Sequence, residues 1–336
     1  GCEADGVVQR FKEKKMQSRF FVFLLLIASV ANAADNYPNR PIRMILPVAP
    51  SGGSDITARA INPKLIEYLG QQVIIDNRPG AGGTNGMVLA ARAAPDGYTL
   101  IQSSIGPTAV NITLDKNLPY DTLRDFTPIA RGVSALNILV VHPTLPVHSV
   151  KDLIAYAKKN PTGLNYGSSG IGHADHLAAE LFNSMVGVKM QHIPYKGGAP
   201  AMTELLGNNI QLIFSTVSTA ITFIKANRIR PIAVTSAKRV SLFPDVPTVA
   251  EAGVPGFAVD NWYCFLGPKG MPKPIVARLH RELNRALDQP DVKQRLEGLG
   301  IFPFPLATPE AFGDYIRSEI EKYAKVIADA GIQAAH

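Results

Sequence analysis

Cysteine is almost missing from this sequence: 336 residues carry two, Cys2 and Cys264. Two cysteines cannot build a disulfide framework or a thiolate zinc site, which needs several at short spacing. Charged residues are also sparse, at 18%. The 34 basic and 27 acidic residues give a formal net charge of +7, but no basic run is as dense as a nucleic-acid arm. Aromatics are not interleaved with basic residues as in a base-stacking surface. Nucleic acid is therefore not expected as a partner, and the excess charge reads as a solvated surface that weakly steers anions. Beyond the N-terminus no apolar run is long enough to span a bilayer. What is plentiful is hydrophobic residues, 46% of the chain. At this length that predicts a globular protein of two domains, each burying its own core.

The N-terminus carries a targeting pattern. Arg19 precedes an apolar stretch, Phe20 to Ile27, and small residues follow, ending Ala31-Asn32-Ala33. A charged start, a short apolar run and an A-x-A site describe a cleaved signal peptide. Met16 then serves as initiator, residues 1–15 are upstream sequence, and the mature, exported chain starts at Ala34. Processing removes Cys2 and leaves Cys264 unpaired in the apolar run Trp262 to Leu266, where it packs as a small hydrophobe.

From Pro41 onward short β-branched strands alternate with glycine- or serine-rich turns and amphipathic helices. Strands are expected at 42–46, 72–76 and 98–103, with helices at 56–69 and 87–94. A second set starts near Asn137, with strands at 138–141, 164–167, 190–194, 210–214 and 229–235 and helices at 149–159 and 174–186. Thr248-Val249-Ala250-Glu251 reads as the cap of a short helix. A buried strand at 261–267 follows, then helices at 274–287, 292–299 and 309–330, the last opened by Thr308 and Pro309. Such alternation argues for an α/β fold with mainly parallel sheets and ligands at the carboxyl ends of the strands. The late strand has no obvious place in the second set. An economical topology returns the chain to the first lobe there, with lobe 1 formed by 34–140 and 263–336 and lobe 2 by 141–262. Two crossings between two lobes make a hinge beside a cleft.

Two loops are built for anions. Pro50-Ser51-Gly52-Gly53-Ser54-Asp55 and Gly167-Ser168-Ser169-Gly170-Ile171-Gly172-His173 each join a strand to a helix start. Glycine lets the backbone approach a ligand there, and exposed N–H groups and the helix dipole favour negative charge. One loop from each lobe can clamp a carboxylate without arginine. Asp55 is placed to organise its loop from the helix start.

Other chemistries fit less well. In Gly80-Ala81-Gly82-Gly83-Thr84-Asn85-Gly86, Asn85 stands where a dinucleotide fingerprint needs its third glycine, and no acid ends the next strand. No phosphate-binding G-x-x-x-x-G-K-[ST] occurs. Ser168 or Ser169 with His176 suggests an exported serine hydrolase, but the G-x-S-x-G elbow is absent and no carboxylate is placed to orient the histidine. His173, Asp175 and His176 lack the H-E-x-x-H spacing of a metal site. His176 reads instead as a helix residue bonding loop backbone. Trp262, the sole tryptophan, is left as either core or cleft wall.

The order of motifs resembles the Bug receptors, the extracytoplasmic solute-binding components of tripartite tricarboxylate transporters, over residues 37–333. The likeness rests on Tyr37-Pro38-Asn39-Arg40-Pro41-Ile42-Arg43, Ala49-Pro50-Ser51-Gly52-Gly53-Ser54-Asp55 and Asn77-Arg78-Pro79-Gly80-Ala81-Gly82-Gly83. Ala94-Pro95-Asp96-Gly97-Tyr98-Thr99-Leu100, Leu118-Pro119-Tyr120-Asp121, His192-Ile193-Pro194-Tyr195-Lys196-Gly197 and Pro244-Asp245-Val246-Pro247-Thr248 extend it. The resemblance implies a two-lobed, periplasmic Venus-flytrap binding protein, monomeric, without cofactor or enzymatic activity. It implies a small carboxylate as ligand (amino acid, dicarboxylate or aromatic acid) and a membrane permease or a sensor as partner. The loops matching 50–55 and 168–173 grip the carboxylate in the family, partly through water. The loops Ser103-Ser104, Gly197-Gly198-Ala199, Ser215 to Thr219 and Asn261-Trp262 are expected around the distal pocket. The family usually has glycine where Ser51 stands.

Overall fold

The computed structural model describes residues 36–332. The expected signal peptide, its initiator Met16 and Cys2 lie outside the described residues.

Two sheets organise the chain. The first contains β1 (Ile42–Leu46), β2 (Val73–Asn77), β3 (Thr99–Ser104), β4 (Phe126–Ala135), β10 (Asn261–Pro268) and β11 (Ile301–Pro303), ordered β11-β4-β10-β3-β1-β2. Strands β1, β2 and β3 pair in parallel, while β10 runs antiparallel between β3 and β4. The second contains β5 (Asn137–Val141), β6 (Asn165–Ser168), β7 (Gln191–Pro194), β8 (Leu212–Thr216) and β9 (Arg230–Val234), ordered β7-β6-β8-β5-β9. The α/β class is as expected and the late strand lies in the first sheet, but the sheets are mixed and not mainly parallel. Five of the nine strand pairings are antiparallel, because β10 and β11 in the first sheet and β5 in the second run against the direction of their neighbours. The sheet change falls between Ala135 and Asn137, so β5 lies wholly in the second sheet. The return is made at Asn261, so Asn261 and Trp262 already belong to the first. Both lie a few residues from the expected boundaries.

The period-2 alternation of a strand explains why the second sheet is buried on both faces. Leu139 and Val141 of β5 join a cluster with Tyr166, Phe214 and Phe182 of the helix Ala174–Val186. Ile138 and Val140 turn the other way, onto Met202 and Leu205 of the helix Gly198–Leu206 and Val217 and Ile221 of the helix Val217–Lys225. In the first sheet Ile45, Ile101, Cys264 and Leu266 pack with Phe312 and Ile316 of the helix Pro309–Ala330. Cys264 is a buried free thiol, as expected, and burial pushes its pKa up to about 12.

Sequence reading misses β4. Its residues include Pro128 and Gly132, which interrupt a strand pattern, and Gly132 takes φ +81° where the pairing with β10 shifts register. The helices Gly198–Leu206 and Val217–Lys225 are also missed. At Thr248 the capping box forms: Glu251 N–H donates to Thr248 Oγ1 at 3.0 Å and Thr248 N–H to Glu251 Oε2 at 3.2 Å. It closes a turn, not the expected helix, because Gly253 at φ +126° and Pro255 stop propagation.

The two crossings are stitched together. Asn261 Nδ2 donates to Asn137 Oδ1 at 3.1 Å, Asn137 Nδ2 to the Phe214 carbonyl at 2.8 Å, and Thr235 N–H to the Asn137 carbonyl at 3.0 Å.

Candidate functional site

The first loop is held by Asp55, in the first turn of the helix Gly53–Leu69. Its Oδ2 accepts from the Ser51 N–H at 2.9 Å and from Arg59 Nε at 2.8 Å, and its Oδ1 from Asn77 Nδ2 at 3.0 Å. Burial alone would raise its pKa, but Arg59, Ser51 and Asn77 together hold it below the usual carboxylate value. Ser51 sits at φ +67°, a conformation that glycine adopts freely and other residues resist. Its exposed side chain points away from the cavity described below.

The second loop repeats the device with Asp175, in the first turn of the helix Ala174–Val186. Asp175 Oδ2 accepts from the Ser169 N–H at 2.6 Å and from Ser169 Oγ at 2.5 Å, and Oδ1 accepts from the His176 N–H at 3.0 Å. No Lys or Arg pairs with it among the described residues. Burial raises its pKa more than these donors and His173 lower it. Burial also lowers the pKa of His173, so the imidazole stays neutral.

Four helices open on one cavity. The N-cap residues are Gly52, His173, Gly197 and Thr216, and none of the four helix starts carries a side-chain cap. Ser149 and Thr308 cap helices elsewhere, though the helices that follow Gly83, Pro272 and Gln289 are also uncapped. At the cavity the Leu136 carbonyl takes the Val217 N–H and Asp175 takes the His176 N–H; the other early N–H groups and the positive dipole ends are what a ligand can use. Val48, Gly52, Gly53, Ser54, Ser104, Asn137, Ser169, His173, Ala174, Asp175, Gly198, Thr216, Asn261 and Tyr263 line the space. The cavity volume is about 30 Å³. The lining includes no Lys or Arg. Five hydroxyls line it, from Ser54, Ser104, Ser169, Thr216 and Tyr263; burial keeps the Tyr263 phenol protonated and able to donate. A Cβ added to Gly53 would lie 2.5 Å from Tyr263 Oη and 2.7 Å from Ser218 Oγ, so the wall at that point needs glycine.

The parts of the site from the two sheets touch closely. Ala49 N–H donates to the Lys196 carbonyl at 2.8 Å. Asn111 Nδ2 donates to the Gly82 carbonyl at 3.1 Å, and a Cβ at Gly82 would lie 2.7 Å from the Ile171 carbonyl. A Cβ at Gly106 would lie 2.9 Å from the Gly172 carbonyl. The glycine run at 80–86, unsuited to a dinucleotide, is thus the surface on which the second loop packs.

Of the residues expected from sequence, Gly52, Gly53, Ser54, Ser104, Ser169, His173 and Asn261 line the cavity. Gly170 and Gly172, at φ +140° and +77°, shape the second loop, and Gly197, at φ +141°, lets it pass Ala49. Ser51 and Asp55 brace the first loop without lining the cavity. Ser103 accepts from Thr108 Oγ1 at 2.8 Å inside the core, and Ser215 bonds the Thr216 carbonyl at 3.1 Å. Ala199 stands behind Gly198 in the first turn of its helix and does not line the cavity. Trp262 is core: fully buried, it donates to Glu319 Oε2 at 2.8 Å and packs edge-on against Phe312 and Tyr315. Alternation along β10 puts Asn261 and Tyr263 on one side and Trp262 on the other, a signal that would have selected Tyr263. Val48, Asn137, Ala174 and Asp175 were also missed as lining.

The hydrolase pairing does not form. Ser168 is fully buried and meets His192 Nε2 at 2.6 Å, while Ser169 gives its proton to Asp175. His176 Nδ1 accepts from the Gly172 N–H at 3.2 Å, the loop-bonding role expected of it, and its ring lies against His192. Among the described residues no cluster of His, Cys, Asp and Glu could hold a metal, and no helix is long and apolar enough to cross a membrane.

Comparison with known proteins agrees with this geometry. Residues 57–332 match the model of the tripartite tricarboxylate transporter family receptor. Protein BugT of Bordetella pertussis is 36% identical over 300 residues, covering 89% of this chain and 92% of BugT. The structure of the periplasmic binding protein BugD superposes with a TM-score of 0.85 at 35% identity, covering 88% of this chain and 99% of BugD. An R. palustris protein solved with adipate gives a TM-score of 0.85 at 36% identity, with 88% and 99% of the two chains covered. The chain therefore belongs to the tripartite tricarboxylate transporter family receptors, periplasmic solute-binding proteins and not enzymes.

Proposed function

We propose that this receptor captures a small carboxylate in the cavity between its two sheets. The observation that carries the reading is the meeting of four uncapped helix starts on a cavity whose lining has no Lys or Arg. Unpaired N–H groups and aligned dipoles bind an anion without a fixed cation. The bound adipate of the R. palustris relative supports the ligand class.

Each sheet with its helices acts as one lobe, with 40–135 and 261–332 on one side and 137–260 on the other. The stitched crossings at Asn137 and Asn261 serve as hinge. The cavity has room for one or two water-sized groups, so a ligand body enters when the lobes part. Contacts made to both lobes then favour closure by population shift. The chain, exported to the periplasm through a cleaved signal peptide, works as a monomer and passes its ligand to a membrane permease or presents it to a sensor.

A thermal-shift screen of the purified protein against carboxylic acids and their amides tests this. A ligand that binds only the folded state raises the melting temperature by mass action. The expected result is a shift with one class of acid and none with the matching amide, whose neutral head leaves the buried donors poorly satisfied. Equal shifts from acid and amide would remove the anion-capture reading.

A further inference from the structure

The lobe-2 loop spends its donors on the protein's own carboxylate. Ser169 gives both its N–H and its hydroxyl proton to Asp175, so toward the cavity its oxygen is left with lone pairs. His173 adds no charge there, since burial keeps its ring neutral, and its Nδ1 lies 3.5 Å from Ser104 Oγ. Asp175 lines the same cavity, only 4% exposed, and Oδ1 has a single donor, the His176 N–H. A carboxylate oxygen accepts two. One wall of the cavity is thus an acceptor surface built on a carboxyl group. The donors left for a ligand carboxylate are the helix starts at Gly53 and Gly198 and the Tyr263 hydroxyl.

We propose that Asp175 is a specificity-determining residue that receives an ammonium group, so that the preferred ligand is a zwitterion with an amino group beside its carboxylate, and dianions are disfavoured. This rests on the anion-capture reading and narrows it. A cavity lined by one acid, a buried histidine and no Lys or Arg has no fixed cation to compensate a second ligand carboxylate, and like charges brought together in a buried site cost several kcal/mol. An ammonium facing Asp175 and a carboxylate facing the helix starts leave each charge paired.

The test is calorimetric titration of the purified protein with a panel in which each carbon skeleton comes in three forms. These are butanoate, 2-aminobutanoate and succinate; hexanoate, norleucine and adipate; and the twenty standard amino acids. The expected outcome is that the tightest ligand is an amino acid, bound at least about tenfold more tightly than the acid lacking its amino group. In Asp175→Asn that preference should fall by a similar factor while the dicarboxylate gains. The wild-type ranking decides the matter even if the variant folds poorly. A dicarboxylate or plain monocarboxylate that binds wild type as tightly as its amino analogue overturns the assignment to Asp175 and leaves anion capture intact. If no acid of the panel binds, both readings fall together.

Discussion

Each glycine-serine loop is tied to the first turn of its own helix by an aspartate, but the surroundings of the two carboxylates differ. Asp55 has Arg59 and Asn77 beside it, holds its proton less tightly than a free aspartate, and faces away from the cavity. Asp175 has only N–H and hydroxyl donors, holds its proton more tightly, and lies in the cavity wall. The same local device is an arginine-paired brace in one lobe and an unpaired carboxyl in the cavity wall in the other. The difference comes from what packs around it: β2 brings Asn77 to Asp55, and the helix brings Arg59 four residues on. Around Asp175 the near neighbours are neutral histidine and serine.

The largest effect should separate the two directly. Asp55→Ala leaves the Ser51 N–H and the Asn77 amide without their acceptor and Arg59 without its partner, a loss of about 2–4 kcal/mol. Asp175→Asn keeps the shape but turns its amide NH2 toward one of the N–H groups that Asp175 accepts from, and should cost about 1–3 kcal/mol, less than Asp55→Ala because no cation loses its partner. Urea unfolding midpoints measure both, and equal losses would break the comparison.

Acidification should act on the second lobe. Burial, with the neighbouring histidines, lowers the pKa of His176 to about 3, and burial lowers that of His192 to about 4. Both folded values lie below the unfolded 6.5, so below pH 6.5 the unfolded chain binds the extra protons. Stability is then full above pH 6.5 and falls as the pH drops toward 4. At pH 5 each ring costs up to about 2 kcal/mol, and Asp175, whose pKa shifts upward, offsets part of this. Asp55 contributes in a lower window, because its support is lost only below the ordinary value of 3.8. His192→Gln should flatten the slope between pH 7 and pH 5 in thermal unfolding; an unchanged slope would place the acid sensitivity elsewhere.

The smallest effects belong to the first loop's glycines and its serine. Gly53→Ala pushes a methyl toward Tyr263 and Ser218 and should weaken binding of a carboxylate about tenfold, equivalent to about 1.4 kcal/mol. Ser51→Gly relieves a left-handed φ but adds freedom to the unfolded chain, for a net change within about 0.5 kcal/mol. An affinity for Gly53→Ala equal to wild type would show that the wall near Tyr263 does not touch ligand.

Much of the fold was legible because its signals are local. Helix 309–330 is announced by Thr308 and Pro309, and Thr308 Oγ1 accepts the Ala311 N–H at 3.1 Å. Strand β5 from Ile138 to Val141 and strand β10 from Trp262 to Leu266 read as unbroken apolar runs because both faces of these strands are buried. β4 was not legible, because Pro128 and Gly132 disguise a strand that only its pairing with β10 and β11 stabilises. The two loops could be read from glycine, serine and a following helix, but their internal bonds could not. That Ser169 serves Asp175, and that Ser168 turns inward to His192 on β7, depends on strands and turns far apart in sequence.

By itself the sequence determined the α/β class and the two helix-start loops, since each follows from residue period, capping and glycine placement; the return of the late strand was an economical topology that only its pairing with β3 and β4 decides. Only the tertiary structure decided that four helix starts share one cavity, that Tyr263 and not Trp262 faces it, and that Asp175 enters it without a cation. Those facts depend on how two sheets are brought together, which short-range preference does not encode.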